Sequence, residues 1–289
     1  MNIFIVGMRR SGTTIFWKTF RQDKRFVCYD EPFNSLLYEL PAENEKGTRT
    51  EFIKLYKGDA VKFRSLFSPI SVEEELQSGL TLRQQAYLKW LLQTGENVVC
   101  DFVRCNFKIQ ALYEVDPSAF LIHLYRSPAA VVSSHLLPSG GEERWQRRIA
   151  NILRKKTFWT RKSWYNSWHF EDIIDRVSRA HFEKYLLEMG LNPKVVTSLP
   201  AVGKLLAFWK VNFETVERDG KRYFRDRFLS ISFENFCSNS QKIMESIYKI
   251  LGFPMPTFDF TAIHPAKPAF RRDSSEWGKY FELLNLPNQ

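Results

Sequence analysis

The run Ile3-Phe4-Ile5-Val6 is apolar without a break, as in a central parallel strand covered on both faces. Beyond it, Ile15-Phe16-Trp17 and Phe20 recur at helical spacing. Residues 25–29, 97–102, 119–125 and 227–233 carry the other strand-like runs. Helical patterns lie between and after them. Pro32 opens a helix from Phe33 to Leu40, and Pro128 opens another from Ala129 to Leu137. Thr81 caps a helix to about Thr94, with Leu82, Ala86, Tyr87, Trp90 and Leu91 on one face. Further helices are expected near 107–115 and from about Ser240 to Leu251, the last ending at Gly252. Asp116-Pro117-Ser118 is a turn. Strands alternating with helices predict a parallel α/β sheet whose loops after residues 6, 29, 102 and 125 open on one crevice.

The alternation stops at Pro138-Ser139-Gly140-Gly141. From there to about residue 220 only helical periodicity remains. This predicts one domain over 1–289 with a helical insertion at about 141–220. Residues 41–80 are polar, with weak helical pieces. The tail after Phe253 is proline-rich, and a short helix closes the chain after 271–277.

Composition narrows the class. Apolar residues make up 44% and charged residues 26%, a globular balance. The net charge of +10 and a pI near 9.4 favour anionic ligands, acidic substrates, nucleic acid or membrane surfaces. The apolar runs are too short to span a bilayer, and Arg9-Arg10 interrupt the apolar start too early for a signal peptide. Cys28, Cys100, Cys105 and Cys237 are scattered in apolar surroundings, as expected of reduced thiols in the cytoplasm. Cys100-x4-Cys105 lacks zinc spacing and nearby histidines, so no metal is expected.

The candidate chemistry starts at the first strand's end. Gly7-Met8-Arg9-Arg10-Ser11-Gly12-Thr13-Thr14 has phosphate-loop spacing, but Thr13 stands where the usual lysine would be. A triphosphate would lose its main charge partner there, and Asp101 and Glu234 are only weak candidates for a metal-holding carboxylate. The loop therefore suits a less charged terminal group bound without metal. Arg126 sits at another strand's carboxyl end, with Ser134 eight residues on, and the two could share a second anion. A nucleoside carrying phosphates at both ends would satisfy both sites.

These segments resemble the sulfotransferases that use 3′-phosphoadenosine 5′-phosphosulfate (PAPS). Arg10-Ser11-Gly12-Thr13-Thr14 is similar to the family's 5′-phosphosulfate loop, and Arg126-Ser127-Pro128 through Ser134 to its 3′-phosphate motif. Phe228–Gly252 and Phe270–Phe281 resemble its later strand–helix stretch and its closing tail. The resemblance implies a three-layer P-loop-type α/β fold and PAPS as cofactor. It implies that Arg9, Arg10, Ser11, Gly12, Thr13 and Thr14 bind the 5′ end, and Arg126, Ser134, Arg271 and Arg272 the 3′ end. Arg10 replaces the lysine, and Ile15 the tryptophan, of the cytosolic small-molecule members, and the tail lacks their R-K-G-x-x-G pattern. The chain is closer to the bacterial and Golgi-type branch.

Sulfuryl transfer requires a base for the acceptor hydroxyl. Glu31 follows the second strand, twenty-one residues after Arg10, as the catalytic Glu of tyrosylprotein-type members does by resemblance. The alternative is that Glu31 or Asp30 caps the next helix. Phe33 and Arg104 are assigned to the acceptor side; Arg104 could equally form an ion pair. His123 reads as buried core. Arginines and tryptophans interleave over 142–170, which suits an acidic or glycosylated acceptor, a carbohydrate or glycolipid, as well as a solvated helix face. Membrane-surface contact stays open, and nucleic acid is not expected because no such motif accompanies the charge. The competing functions are a small-molecule or nucleotide kinase and a non-catalytic polyanion-binding protein on the same fold.

Overall fold

The computed structural model describes residues 1–40, 47–136, 179–261, 263 and 278–286. The expected basic-aromatic stretch, Arg271 and Arg272 lie outside the described residues. The chain separates into two compact units: Met1–Ser71, Gln77–Tyr125 and Thr215–Pro265 form the first; Val72–Leu76, Arg126–Glu214 and Ala266–Gln289 form the second.

The first unit is built on five strands: β1 (Asn2–Val6), β2 (Val27–Asp30), β3 (Val98–Phe102), β4 (Phe120–Tyr125) and β5 (Phe228–Ser232). Their order is β2-β3-β1-β4-β5, and every pairing is parallel. The predicted α/β class with a central parallel sheet is therefore observed. β1 is innermost, and Ile3, Phe4, Ile5 and Val6 are all fully buried. Successive side chains alternate between two cores. Phe4 and Val6 join Phe102, Tyr87 and Leu112 on one face, while Ile3 and Ile5 join Phe16, Phe236 and Tyr248 on the other.

The second face is covered by α1 (Thr13–Phe20) and by the later helix 233–251. Phe16, Trp17 and Phe20 of α1 are fully buried, each contributing about 2–3 kcal/mol. The first face takes α2 (Thr50–Gly58), α3 (Ala60–Leu66), α4 (Leu82–Leu92) and α5 (Ile109–Val115). Thr81 and Gln84 form a reciprocal capping box at α4. The face of α4 differs from expectation. Leu82 and Ala86 are exposed, and Gln84, Tyr87, Leu88 and Leu91 point inward. Gln84 can be buried because its amide also donates to the carbonyl of Pro69 at 3.0 Å.

The helix expected over 33–40 is a 3₁₀ turn, Ser35–Glu39. Its cap is neither Glu31 nor Asp30 but Asn34, whose side chain accepts from the Leu36 N–H. The second unit contains α6 (Pro128–Leu136), α7 (Arg179–Glu188) and α8 (Pro193–Ser198). The long α9 (Ala201–Tyr223) follows, and Trp209 stacks on Phe213 within it at 5.0 Å. The helix expected from Ser240 begins earlier: α10 spans Phe233–Leu251, capped by Ser232 and kinked at Asn239. α11 (Gly278–Leu283) is the last element.

Two glycines accept left-handed backbone for different reasons. Gly252 ends α10 at φ 73 with open space around it. Gly12 precedes α1 at φ 91, and a Cβ there would lie 2.3 Å from the Phe233 ring. Gly252→Ala should lower stability by about 1 kcal/mol, the left-handed penalty alone. Gly12→Ala should lower it more, because the ring must also move. Chemical denaturation of the two variants checks the order.

Candidate active site

The phosphate-like loop leaves β1 at the carboxyl edge of the sheet. A Cβ on Gly7 would sit 2.4 Å from the carbonyl oxygen of Leu124, so only glycine lets the chain pass β4 here. The Ser11 N–H closes the loop onto the Met8 carbonyl at 3.0 Å. Arg10, at the exposed apex, is held at φ 73. Ser11 and Thr13 are buried, while Arg9, Gly12 and Thr14 are half-buried.

α1 starts without a side-chain cap and without an acidic residue in its first turn. The N–H groups of Ile15 and Phe16 bond to the Gly12 carbonyl. Those of Gly12, Thr13 and Thr14 meet no acceptor among the described residues. Three unmet donors beside the positive end of an eight-residue helix fit an anion. The residues present thus suit the phosphosulfate end of PAPS.

The loop after β2 opens on the same edge, because β2, β3 and β1 run in register: Asp30 pairs with Asp101, and Asp101 with Ile5. Two ladder spacings put the β1 and β2 ends about 10 Å apart. Glu31 takes φ 47, donates its N–H to the Asp101 carbonyl at 2.9 Å, and accepts from the Asn34 N–H at 2.9 Å. A non-glycine residue in this region is held only when its surroundings over-determine it. Its carboxylate Oε2 receives Arg104 at 2.6 Å and the Asn34 amide at 2.8 Å. The expected candidates Glu31, Phe33 and Arg104 are thus brought together. With Asn34, Phe102, Val103 and Cys105 they line a shallow, open pocket. Phe33 is buried and stacks on Phe102 at 5.8 Å.

Behind Glu31 lies a carboxyl pair that the sequence had not linked. Asp101 is fully buried, and neither of its oxygens has a well-formed hydrogen bond among the described residues. Burial pushes its carboxyl well above the usual range, Asp30 and Glu31 add to this, and the neighbouring Thr13 hydroxyl opposes it. Burial also raises Asp30, to about 6. A pair in adjacent ladder positions favours holding a proton over two charges.

A separate network joins β4, α9 and β5. Buried His123 meets Glu217 at 2.8 Å, and Ser230 and Lys221 bond the same carboxylate. Burial holds His123 low. Against its own burial, Glu217 is brought down to about 2 by His123, Ser230 and Lys221. His123 is thus a core residue, as expected.

In the second unit, Arg126 is buried and its carbonyl accepts the Trp209 indole N–H at 2.9 Å. Ser134 lies half-buried on α6. Among the described residues no group of three or more acidic, His or Cys side chains could hold a metal, and no helix is long and apolar enough to cross a membrane. Asn34 was missed by sequence reasoning. Its signal was present: an asparagine three residues after the candidate base, just before a helical turn.

A family model described as the sulfotransferase family matches residues 2–189 of the 289-residue chain. No curated protein matches significantly. Among solved structures, the sulfotransferase from Alicyclobacillus acidocaldarius aligns at 13% identity over 98% of this chain and 94% of that chain, TM-score 0.45. The sulfotransferase domain from the curacin biosynthetic pathway aligns at 16% identity, covering 92% of this chain and 78% of that one, TM-score 0.48. The sulfotransferase domain of the Synechococcus PCC 7002 olefin synthase aligns at 13% identity, covering 99% and 94%, TM-score 0.43.

The raised Asp101 fixes a sign for stability. Its folded form binds a proton more tightly than the unfolded chain, whose Asp titrates near about 3.9. Stability is therefore lost as pH rises from about 4 through the folded midpoint. Asp101→Asn removes that loss. The melting temperature of the variant relative to wild type should rise between pH 5 and pH 8; an equal offset at both pH values would contradict the assignment.

Proposed function

We propose that this chain, which belongs to the sulfotransferase family, moves a sulfuryl group from PAPS to an acceptor hydroxyl with Glu31 as the base. The observation that carries the proposal is the fixed Glu31 carboxylate on the sheet edge that also bears the uncapped loop. When bound, PAPS supplies an activated sulfuryl group, whose sulfur–phosphate-oxygen bond breaks as the acceptor oxygen bonds to sulfur. Glu31 takes the acceptor's proton. The N–H groups of Gly12, Thr13 and Thr14, with the Arg10 guanidinium, hold the 5′ end and offset charge on the leaving oxygen. Arg9 and Ser11 complete the loop. Arg126 and Ser134, with Arg271 or Arg272 of the tail, take the 3′-phosphate. Phe33 and Arg104 flank the acceptor.

The acceptor we assign is a carbohydrate or glycolipid hydroxyl. The support is the alternation of arginine and tryptophan over 142–170, which suits sugar faces and acidic groups. The four free cysteines support a reducing compartment, and we place the reaction in the cytoplasm.

Adenosine 3′,5′-bisphosphate in the presence of chelator should stabilise the protein by about 2.7 kcal/mol at 100 times its Kd. Stabilisation by ATP–Mg²⁺ alone, lost on chelation, would instead support a nucleotide kinase. Glu31→Gln should keep bisphosphate binding and cut transfer by about 10²-fold or more. Unchanged transfer in that variant would remove Glu31 from the mechanism.

A further inference from the structure

Glu31 is anchored through one oxygen only. Arg104 and the Asn34 amide both donate to Oε2, and Oε1 receives no hydrogen bond among the described residues. A carboxylate with both oxygens equivalent and a free terminal torsion would present its lone pairs in many directions. Two donors on one oxygen stop that rotation and single out the other oxygen.

Asn34 is suited to this because its own orientation is determined. Its Oδ1 accepts the Leu36 N–H at 3.1 Å, capping the 3₁₀ turn. A backbone N–H can only be met by the oxygen end of the amide, so the nitrogen end must be the one facing Glu31. The backbone repeats the constraint: the Asn34 N–H donates to the Glu31 carbonyl, closing the turn that keeps Glu31 at φ 47. Arg104 reaches Glu31 from the loop after β3, so the clamp has one arm from within the turn and one across the sheet edge.

We infer that Asn34 is a positioning residue for the reaction: its amide, with Arg104, holds Oε2 of Glu31 and leaves Oε1 as the atom that receives the acceptor's proton. This rests on the reading of Glu31 as the base. It adds a residue that does not touch the reacting atoms and whose loss should be felt in the chemical step alone.

The substitution Asn34→Asp separates this role from capping. Aspartate caps a helix turn as well as asparagine does, so the Leu36 N–H stays satisfied. It cannot donate to Glu31. Asn34→Ser is the second variant; it keeps a capping oxygen but is too short to reach the carboxylate. The assay is turnover of PAPS with water as acceptor, followed as adenosine 3′,5′-bisphosphate released, so that no identified acceptor is needed. Both variants should lose about 10-fold or more in kcat, with KM for PAPS and bisphosphate affinity as in wild type. A role in capping alone would leave kcat intact in Asn34→Ser, which adds no charge beside Glu31. If Glu31→Gln abolishes turnover while either Asn34 variant keeps wild-type kcat, this inference fails and the reading of Glu31 stands. If turnover is insensitive to Glu31→Gln, both fail together.

Discussion

Burial of β1 between β3 and β4 is the constraint on which the functional edge depends. Its four apolar side chains are fully enclosed, and both neighbours run parallel to it. Parallel pairing brings every carboxyl end to one edge, so the loops after β1, β2 and β3 must leave together. The crowding there is severe. The Leu124 carbonyl passes where a Gly7 side chain would begin, and the Phe233 ring fills the space beside Gly12. The loop between these glycines is therefore shaped from outside, by β4 and by the start of α10.

Three carboxyl groups at the ends of β2 and β3 meet different surroundings. Asp101 is fully buried, and that burial, with Asp30 and Glu31 nearby, raises its carboxyl well above the usual range. Asp30, beside it, is raised less. Glu31, one residue on, is part-exposed and paired with Arg104. A charge is tolerable where a cation and water meet it, and intolerable where neither does. Two neighbouring strand ends thus carry a buried carboxyl and a part-exposed one, and the second is paired with the guanidinium of Arg104 from the loop after β3.

Much of this was legible along the chain because it is local. The apolar run of β1, the glycine spacing, the Thr81 cap and the position of Glu31 after β2 are all written within a few residues. What was misread needed partners far away in sequence. The period of α4 was right and its phase wrong, because Gln84 is paid back for burial by its own cap and by Pro69. The turn at 33–40 does not become an α-helix: its N-terminus is set by Asn34, which is committed to Glu31. The Arg104–Glu31 pair joins residues 73 apart, and only the pairing of β2 with β3 brings them together.

The same features weigh between the uses such a loop could have. Triphosphate chemistry needs a lysine in the loop and an ionised carboxylate on the neighbouring strand to hold a metal. Here Thr13 occupies the lysine position, and Asp101, on that neighbouring strand, is buried with its carboxyl raised well above the usual range. Burial that disfavours the charged form of this carboxyl makes it poorly suited to holding a dication. A terminal sulfuryl group carries less charge and asks less of the loop. On the same edge, two backbone bonds and two side-chain donors converge on Glu31, the proposed base. Among the described residues, the fixed polar contacts of this edge gather on Glu31, as the proposed hydroxyl activation would need.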